Sequence, residues 1–172
     1  MHMKIRIRMH VHASVIAENE HFRIQASYEV AIDICNAYAF ITDYEGAKNM
    51  PGILESKIIS RTRNKVRVQR LIREQILFIP IEMKSLMEYT EAPNKLLIFN
   101  QLSGDSKEYR GSWRLFEAGD KTLFKYDAIF EPNSSIPSFV IEYFMRNSIR
   151  SRFEVMAQKA AQSKSAESFA CN

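Results

Sequence analysis

The sharpest chemical pairing in this sequence is a cation and an acid four residues apart within an alternating strand. Across residues 65 to 75, Val66, Val68, Arg70, Ile72 and Glu74 share one face. If that face is internal, loss of hydration requires Arg70 and Glu74 each to be paired or to meet the polar head of a ligand. If the strand twists outward, or a bulge turns its second half, both are ordinary surface charges. His10 and His12 project from the polar face of a strand at the N-terminus, a spacing that would need nearby acids to complete a metal site, and solvated histidines are the plainer reading. Cys35 has no histidine near it in sequence and reads as a packed, inert thiol. The spaced motifs of serine hydrolases, nucleotide-phosphate loops, zinc peptidases and dinucleotide folds are absent. These residues therefore suggest no catalytic residue, no metal and no cofactor.

Side chains of this kind act only where secondary structure holds them. Residues 4 to 12 alternate with period two, with Ile5, Ile7, Met9 and Val11 opposite the charged and histidine positions, so an N-terminal strand is expected. After a turn at Glu18-Asn19-Glu20, Phe22, Ile24, Ala26 and Tyr28 continue the alternation as a hairpin. At Asp33 the period changes to that of a helix carrying Ile34, Ala37, Tyr38 and Ile41. Thr42-Asp43-Tyr44-Glu45 has the form of a capping box for a second short helix, which Pro51-Gly52 stops. Strands are then expected near residues 53 to 61, 65 to 75, 77 to 90, 95 to 102, 107 to 117 and 121 to 131, with a bend at Ile79-Pro80. One long amphipathic helix, from about Pro137 to Gln162, closes the chain. It carries two apolar stripes: Ile136, Phe139, Val140, Tyr143 and Phe144, then Met145, Ile149, Phe153, Met156 and Ala160. The offset between them predicts a kink near Arg146-Asn147-Ser148, or a first half that lids the cavity while the second half packs on the sheet.

Composition narrows the function classes. Apolar residues at 46% and aromatics at 11% exclude disorder for all but the ends. The 172 residues suit a single domain over residues 1 to 162, with residues 163 to 172 as a flexible tail. The net charge of +4 is scattered among 20 acids, so no nucleic-acid partner is expected, and at most a peripheral membrane contact. Two cysteines are too few for a disulfide framework, and no apolar run reaches the length of a membrane span. The chain as given reads as cytoplasmic, or periplasmic if a signal peptide was removed before residue 1.

The element order, read with particular residues, resembles the START-like or helix-grip superfamily, in its polyketide cyclase/dehydrase and coenzyme-Q-binding branch. The residues that carry the likeness are Thr42-Asp43-Tyr44-Glu45 leading to Pro51-Gly52-Ile53, then Gly111-Ser112-Trp113-Arg114-Leu115, and finally Phe130-Glu131-Pro132 with Ile136-Pro137 before the closing helix. It covers roughly residues 21 to 162. The resemblance implies an α+β helix-grip fold: a curved antiparallel sheet of about seven strands wrapped around the C-terminal helix, with two short helices after the first family strand. The strand from Lys4 to Val15 is extra, and either widens the sheet or mediates a homodimer. Tyr38 stands where many relatives carry Trp.

The resemblance further implies a groove between sheet and helix that takes a hydrophobic small molecule such as a lipid, a quinone or a polyketide-like compound. On the expected faces, its lining would be Tyr28 from the second strand, Tyr38 and Ile41 from the first helix, and Arg70 and Ile72 from the fourth strand. Ile79, Ile81, Met83 and Met87 would come from the fifth, Ile98 and Asn100 from the sixth, and Trp113, Phe124 and Tyr126 from the last two. Phe139 and Tyr143 would cover it from the closing helix. The protein would act as carrier, chaperone or sensor. The alternatives are a cyclase or dehydratase of polyketide-like substrates, or a protein-interaction module of the same fold.

Overall fold

Alternating apolar residues, punctuated by turns, build eight strands in the computed structural model, which describes residues 10–133 and 135–163. The strands are β1 (Val11–Glu18), β2 (His21–Val30), β3 (Ile53–Thr62), β4 (Lys65–Ile76), β5 (Ile79–Ala92), β6 (Leu96–Gly104), β7 (Glu108–Ala118) and β8 (Lys121–Glu131). They form one antiparallel sheet in the order β1-β2-β8-β7-β6-β5-β4-β3. Helix α1 (Ile34–Ile41) and a 3-10 turn (Glu45–Asn49) carry the chain from β2 to the far edge, and α2 (Ser138–Ser163) closes the fold. The expected α+β helix-grip architecture is present. The extra N-terminal strand is the edge strand β1, with Val11 and Val15 buried and His12 exposed. Residues 4 to 9 of the expected strand lie outside the described residues, as does the expected tail beyond Ser163.

Two local expectations are corrected. Asp33 does cap α1, its Oδ1 accepting the Asn36 N–H at 2.7 Å, but Thr42 and Glu45 form no capping box. At the end of α1 the Thr42 hydroxyl instead donates back to the Tyr38 carbonyl at 2.7 Å, which also accepts the Thr42 N–H at 3.0 Å. Asp43 takes over the following turn by accepting the Gly46 N–H at 3.2 Å. Second, the reversal between β4 and β5 falls at Leu77-Phe78, both with positive φ, and not at Ile79-Pro80. No Gly, Asn or Asp marks that turn, so its chemistry is silent in the sequence. Pro80 is accommodated within β5 because pairing with β6 begins only at Ser85, which leaves that side of the strand an edge.

The closing helix is where the packing is decided. Phe153 inserts among Tyr28, Trp113 and Tyr126, with ring centroids 6.4, 6.1 and 5.1 Å away. Ala157 and Ala160, both fully buried, let the backbone of α2 approach at that end. Toward its start, Ile141 packs with Val15 and Phe22 of the first hairpin. One face therefore runs through Ile141, Met145, Ile149, Phe153, Ala157 and Ala160, and the helix is one continuous element. This corrects the expected inward role of the first stripe. The inward face of the second stripe extends to the start of the helix, and Phe139 and Tyr143 of the first stripe are left exposed.

Burial raises the Tyr28 and Tyr44 phenols far above the ordinary phenol range, and with Glu91 nearby pushes Tyr38 up to about 12. Tyr38 donates to the Leu96 carbonyl at 3.1 Å. Unfolded phenols ionise near pH 10 while these stay protonated, so the stability they contribute is present below that value and is lost as pH rises past it. The urea midpoint should fall between about pH 9.5 and 11; a flat profile would contradict the buried phenols. Phe153→Ala should cost about 3–5 kcal/mol in urea denaturation, because it opens a hole in the aromatic cluster. A loss under about 1 kcal/mol would show that α2 is held elsewhere.

Candidate ligand-binding site

The registers decide which side chains look inward. Pairing of β4 with β5 runs unbroken from Lys65↔Thr90 to Ile76↔Ile79. With no bulge to flip the alternation, Arg70, Ile72 and Glu74 stay on the same face as the buried Val66 and Val68. That face lines a cavity of about 400 Å³ between the sheet and α2. The helix leans chiefly on β1 and β2, so the gap opens beneath its other flank, toward β4 and β5.

The lining is mostly apolar and soft. Ile81, Met83, Ser85, Met87 and Tyr89 come from β5, and Tyr109, Trp113, Tyr126 and Phe130 from β7 and β8. Ile141, Phe144, Met145, Ser148, Ile149, Phe153 and Met156 form the roof on α2, while Phe40, Ile41 and Met50 close one side. Ala157 and Ala160 do not line the space. The cavity thus lies under the part of α2 that carries the bulky inward residues.

Glu74 and Arg70 have different fates. The Glu74 carboxylate is bound in a two-pronged ion pair by Arg152, which also lies over the Phe144 ring, 5.8 Å from its centroid. This pair spans the gap and ties β4 to α2. Gly52 sits against it: its φ is +85°, and a Cβ there would meet Glu74 Oε1 at 2.6 Å, so a side chain at that position would displace the brace. Arg70 makes no ion pair among the described residues. Its Nε donates to Ser56 Oγ at 3.1 Å, and its guanidinium lies 5.3 Å from the centre of the Tyr89 ring. Ser56 in turn donates to the Tyr44 carbonyl at 2.5 Å. Arg70 is therefore a positioned cation, facing an apolar space, with donors left over for an acceptor.

Nearby, the Tyr109 and Tyr126 hydroxyls share a hydrogen bond at 2.5 Å. Burial raises both phenols, Tyr126 well above its ordinary value with the Tyr109 neighbour adding to the effect. They are neutral groups at physiological pH, able to donate or accept a hydrogen bond and not to act as bases.

Of the lining expected from the sequence, Ile41, Arg70, Ile72, Ile81, Met83, Met87, Trp113 and Tyr126 are brought together around the cavity. Tyr28, Tyr38 and Phe124 are core residues beneath it; Tyr28 stacks on Phe124 at 5.0 Å. Ile98 and Asn100 point outward, since Leu97 and Phe99 hold the inner face of β6. Residues 96 to 99 are apolar on both faces, so alternation could not choose between them. Ile79 lies beside the β4–β5 turn, and Phe139 and Tyr143 lie on the outer side of α2. Nothing local in the sequence marks Arg152, because its partner is 78 residues away.

His10 and His12 stack edge-to-face at 4.8 Å on the surface. The group with metal-ligand geometry among the described residues is a different one: His21 Nε2 lies 3.0 Å from Glu108 and 3.2 Å from Glu131. Arg110 and Lys107 already engage these two carboxylates. Cys35 is not a free thiol, contrary to the expectation of a packed one.

Three solved structures show how this arrangement compares with others. The protein TTHA0849 from Thermus thermophilus superposes with a TM-score of 0.72 at 16% identity, over 85% of this chain and 99% of its own. A STAR-related lipid transfer protein from Xanthomonas axonopodis superposes with 0.68 at 12% identity, over 94% of this chain and 95% of its own. The Zhui aromatase/cyclase from Streptomyces sp. R1128 gives 0.60 at 12% identity, over 83% of this chain and 90% of its own. At these identities the likeness is one of fold. No curated protein sequence matches the chain. Residues 30 to 156, well over half of the sequence, match the family described as polyketide cyclase / dehydrase and lipid transport, and the chain belongs to that family, within the START-like helix-grip superfamily.

Proposed function

We propose that this protein binds an apolar or aromatic small molecule, such as a lipid, a quinone or a polyketide-like compound, between the sheet and α2, and serves as its carrier, chaperone or sensor. The observation that carries this reading is Arg70: a cation without an ion-pair partner among the described residues, facing a cavity of about 400 Å³ walled by methionine, isoleucine and aromatic side chains. Such a site suits a ligand with a long or flat apolar body and one oxygen-bearing end. The family and the lipid-transfer relative support the same class of ligand.

The cyclase or dehydratase reading draws its support from the aromatase/cyclase relative and from the polar groups that converge on the cavity. Against it, Glu74 is consumed by Arg152, the other lining carboxylate, Asp43, is solvent-exposed and accepts the Gly46 N–H, and the two facing phenols are protonated, so these groups suit orientation of a ligand more than proton abstraction.

Native mass spectrometry of protein purified from its own host should show a bound small molecule released on unfolding; ligand-free protein that also takes up no fatty acid in solution would overturn the reading. Arg70→Leu should weaken binding of palmitate by about ten- to a hundredfold, the worth of a charge-assisted hydrogen bond, while leaving hexadecanol nearly unchanged. An equal loss for both probes would mean that Arg70 shapes the cavity and does not anchor a head group.

A further inference from the structure

The β4–β5 hairpin ends in a feature that the fold does not use. Leu77, Phe78 and Ile79 are 62%, 98% and 56% exposed. Leu77 and Phe78 occupy the left-handed region, with φ of 54° and 77°, where a turn of this kind is ordinarily built from Asn and Gly. Two bulky apolar residues thus sit in a strained conformation with their side chains in water. Between Glu74 and Glu82 there is no charged residue.

The hairpin is also an arm. Past Arg73 on β4, whose N–H donates to the Gly52 carbonyl at 2.8 Å, and past Lys84 on β5, the two strands pair only with each other among the described residues, so the tip stands on the order of 10 Å clear of the sheet. At the base of the arm, the Lys84 N–H donates to Asp105 Oδ2 at 2.7 Å and the Asp105 N–H donates to the Lys84 carbonyl at 2.9 Å. Just beyond Asp105, β7 begins with Glu108 and Tyr109, paired with Glu131 and Phe130 at the end of β8. The arm and the start of α2 therefore lie at the same end of the sheet. That is the end at which Ile76 and Ile81 line the cavity from the arm and Ile141 and Phe144 line it from the helix. Phe139 and Tyr143 on α2 are likewise 72% and 66% exposed.

We propose that this end docks on a lipid bilayer, with Leu77, Phe78 and Ile79 inserted at the interface and the cavity opening beside them. A bilayer is the occupant that fits. The tip is narrow, and its three side chains supply only a fraction of the roughly 800 Å² per partner that a stable protein interface buries. It is uncharged, so insertion desolvates no ion. It gains by transferring Leu and Phe from water to hydrocarbon. The docking stands on the arm alone; that it delivers a ligand to the cavity rests on the function proposed above.

The test is co-sedimentation with phosphatidylcholine vesicles, with and without phosphatidylglycerol. Wild-type protein should sediment with both. In the double variant Leu77→Asn, Phe78→Gly, which restores favoured turn chemistry and should fold at least as stably, vesicle partitioning should fall by about tenfold or more. Uptake of 8-anilinonaphthalene-1-sulfonate in vesicle-free solution should be unchanged. Wild-type protein that stays in solution, a variant that sediments equally well, or binding that needs phosphatidylglycerol and ignores the variant would each overturn the proposal. So would a concentration-dependent dimer of the wild type that disappears in the variant, which would make the tip a contact between copies. Wild-type protein that binds vesicles but takes up no dye would instead count against the cavity reading and leave the docking standing.

Discussion

The structure depends on how closely α2 is allowed to approach the sheet. At its far end Ala157 and Ala160 present almost no side chain, and Phe153 drives into the cluster of Tyr28, Trp113 and Tyr126. Nearer its start the inward residues are Ile141, Phe144, Met145 and Ile149. The helix leans on β1 and β2, and along its other flank only the larger side chains, from Ile141 to Met156, reach toward the curved sheet. The space beneath that flank is the cavity.

Charge placement completes that geometry. Loss of hydration makes an unpaired charge inside such a space expensive, and the two charges on β4 answer this differently. Glu74 is matched by Arg152, so that an ion pair links the walls where packing is sparse. Among the described residues Arg70 keeps only neutral partners, Ser56 and the Tyr89 ring. The unmatched cation is where a ligand acceptor would gain most, and the neutral Tyr109 and Tyr126 hydroxyls offer further hydrogen bonding without competing charge.

Much of the fold was legible from periodicity, and much of the site was not. Period-two alternation located the strands, and Asp33 and Pro51-Gly52 marked helix boundaries, because each of these signals is local. The face of β6 was illegible because Leu96, Leu97, Ile98 and Phe99 are apolar on both sides. The inward face of α2 is ambiguous at its start because Phe139 and Tyr143 form as good an apolar stripe as the buried one. Only contact with Val15 and Phe22, over a hundred positions earlier in the chain, selects Ile141 instead. The β4–β5 turn escaped notice because Leu and Phe stand where turn-forming residues are ordinarily found. The family likeness supplied the container; the distribution of charge within it needed the registers.

The central claim, an open apolar cavity with Arg70 at its wall, can be read through Trp113, the only tryptophan in the sequence and part of the lining. Titration with 8-anilinonaphthalene-1-sulfonate, an aromatic anion, should quench Trp113 emission by energy transfer to a single saturable site. Ser148→Phe, which fills the space from α2, should abolish the quenching while leaving the thermal transition in place. Unquenched Trp113, or a filled variant that binds the dye as the wild type does, would contradict the account.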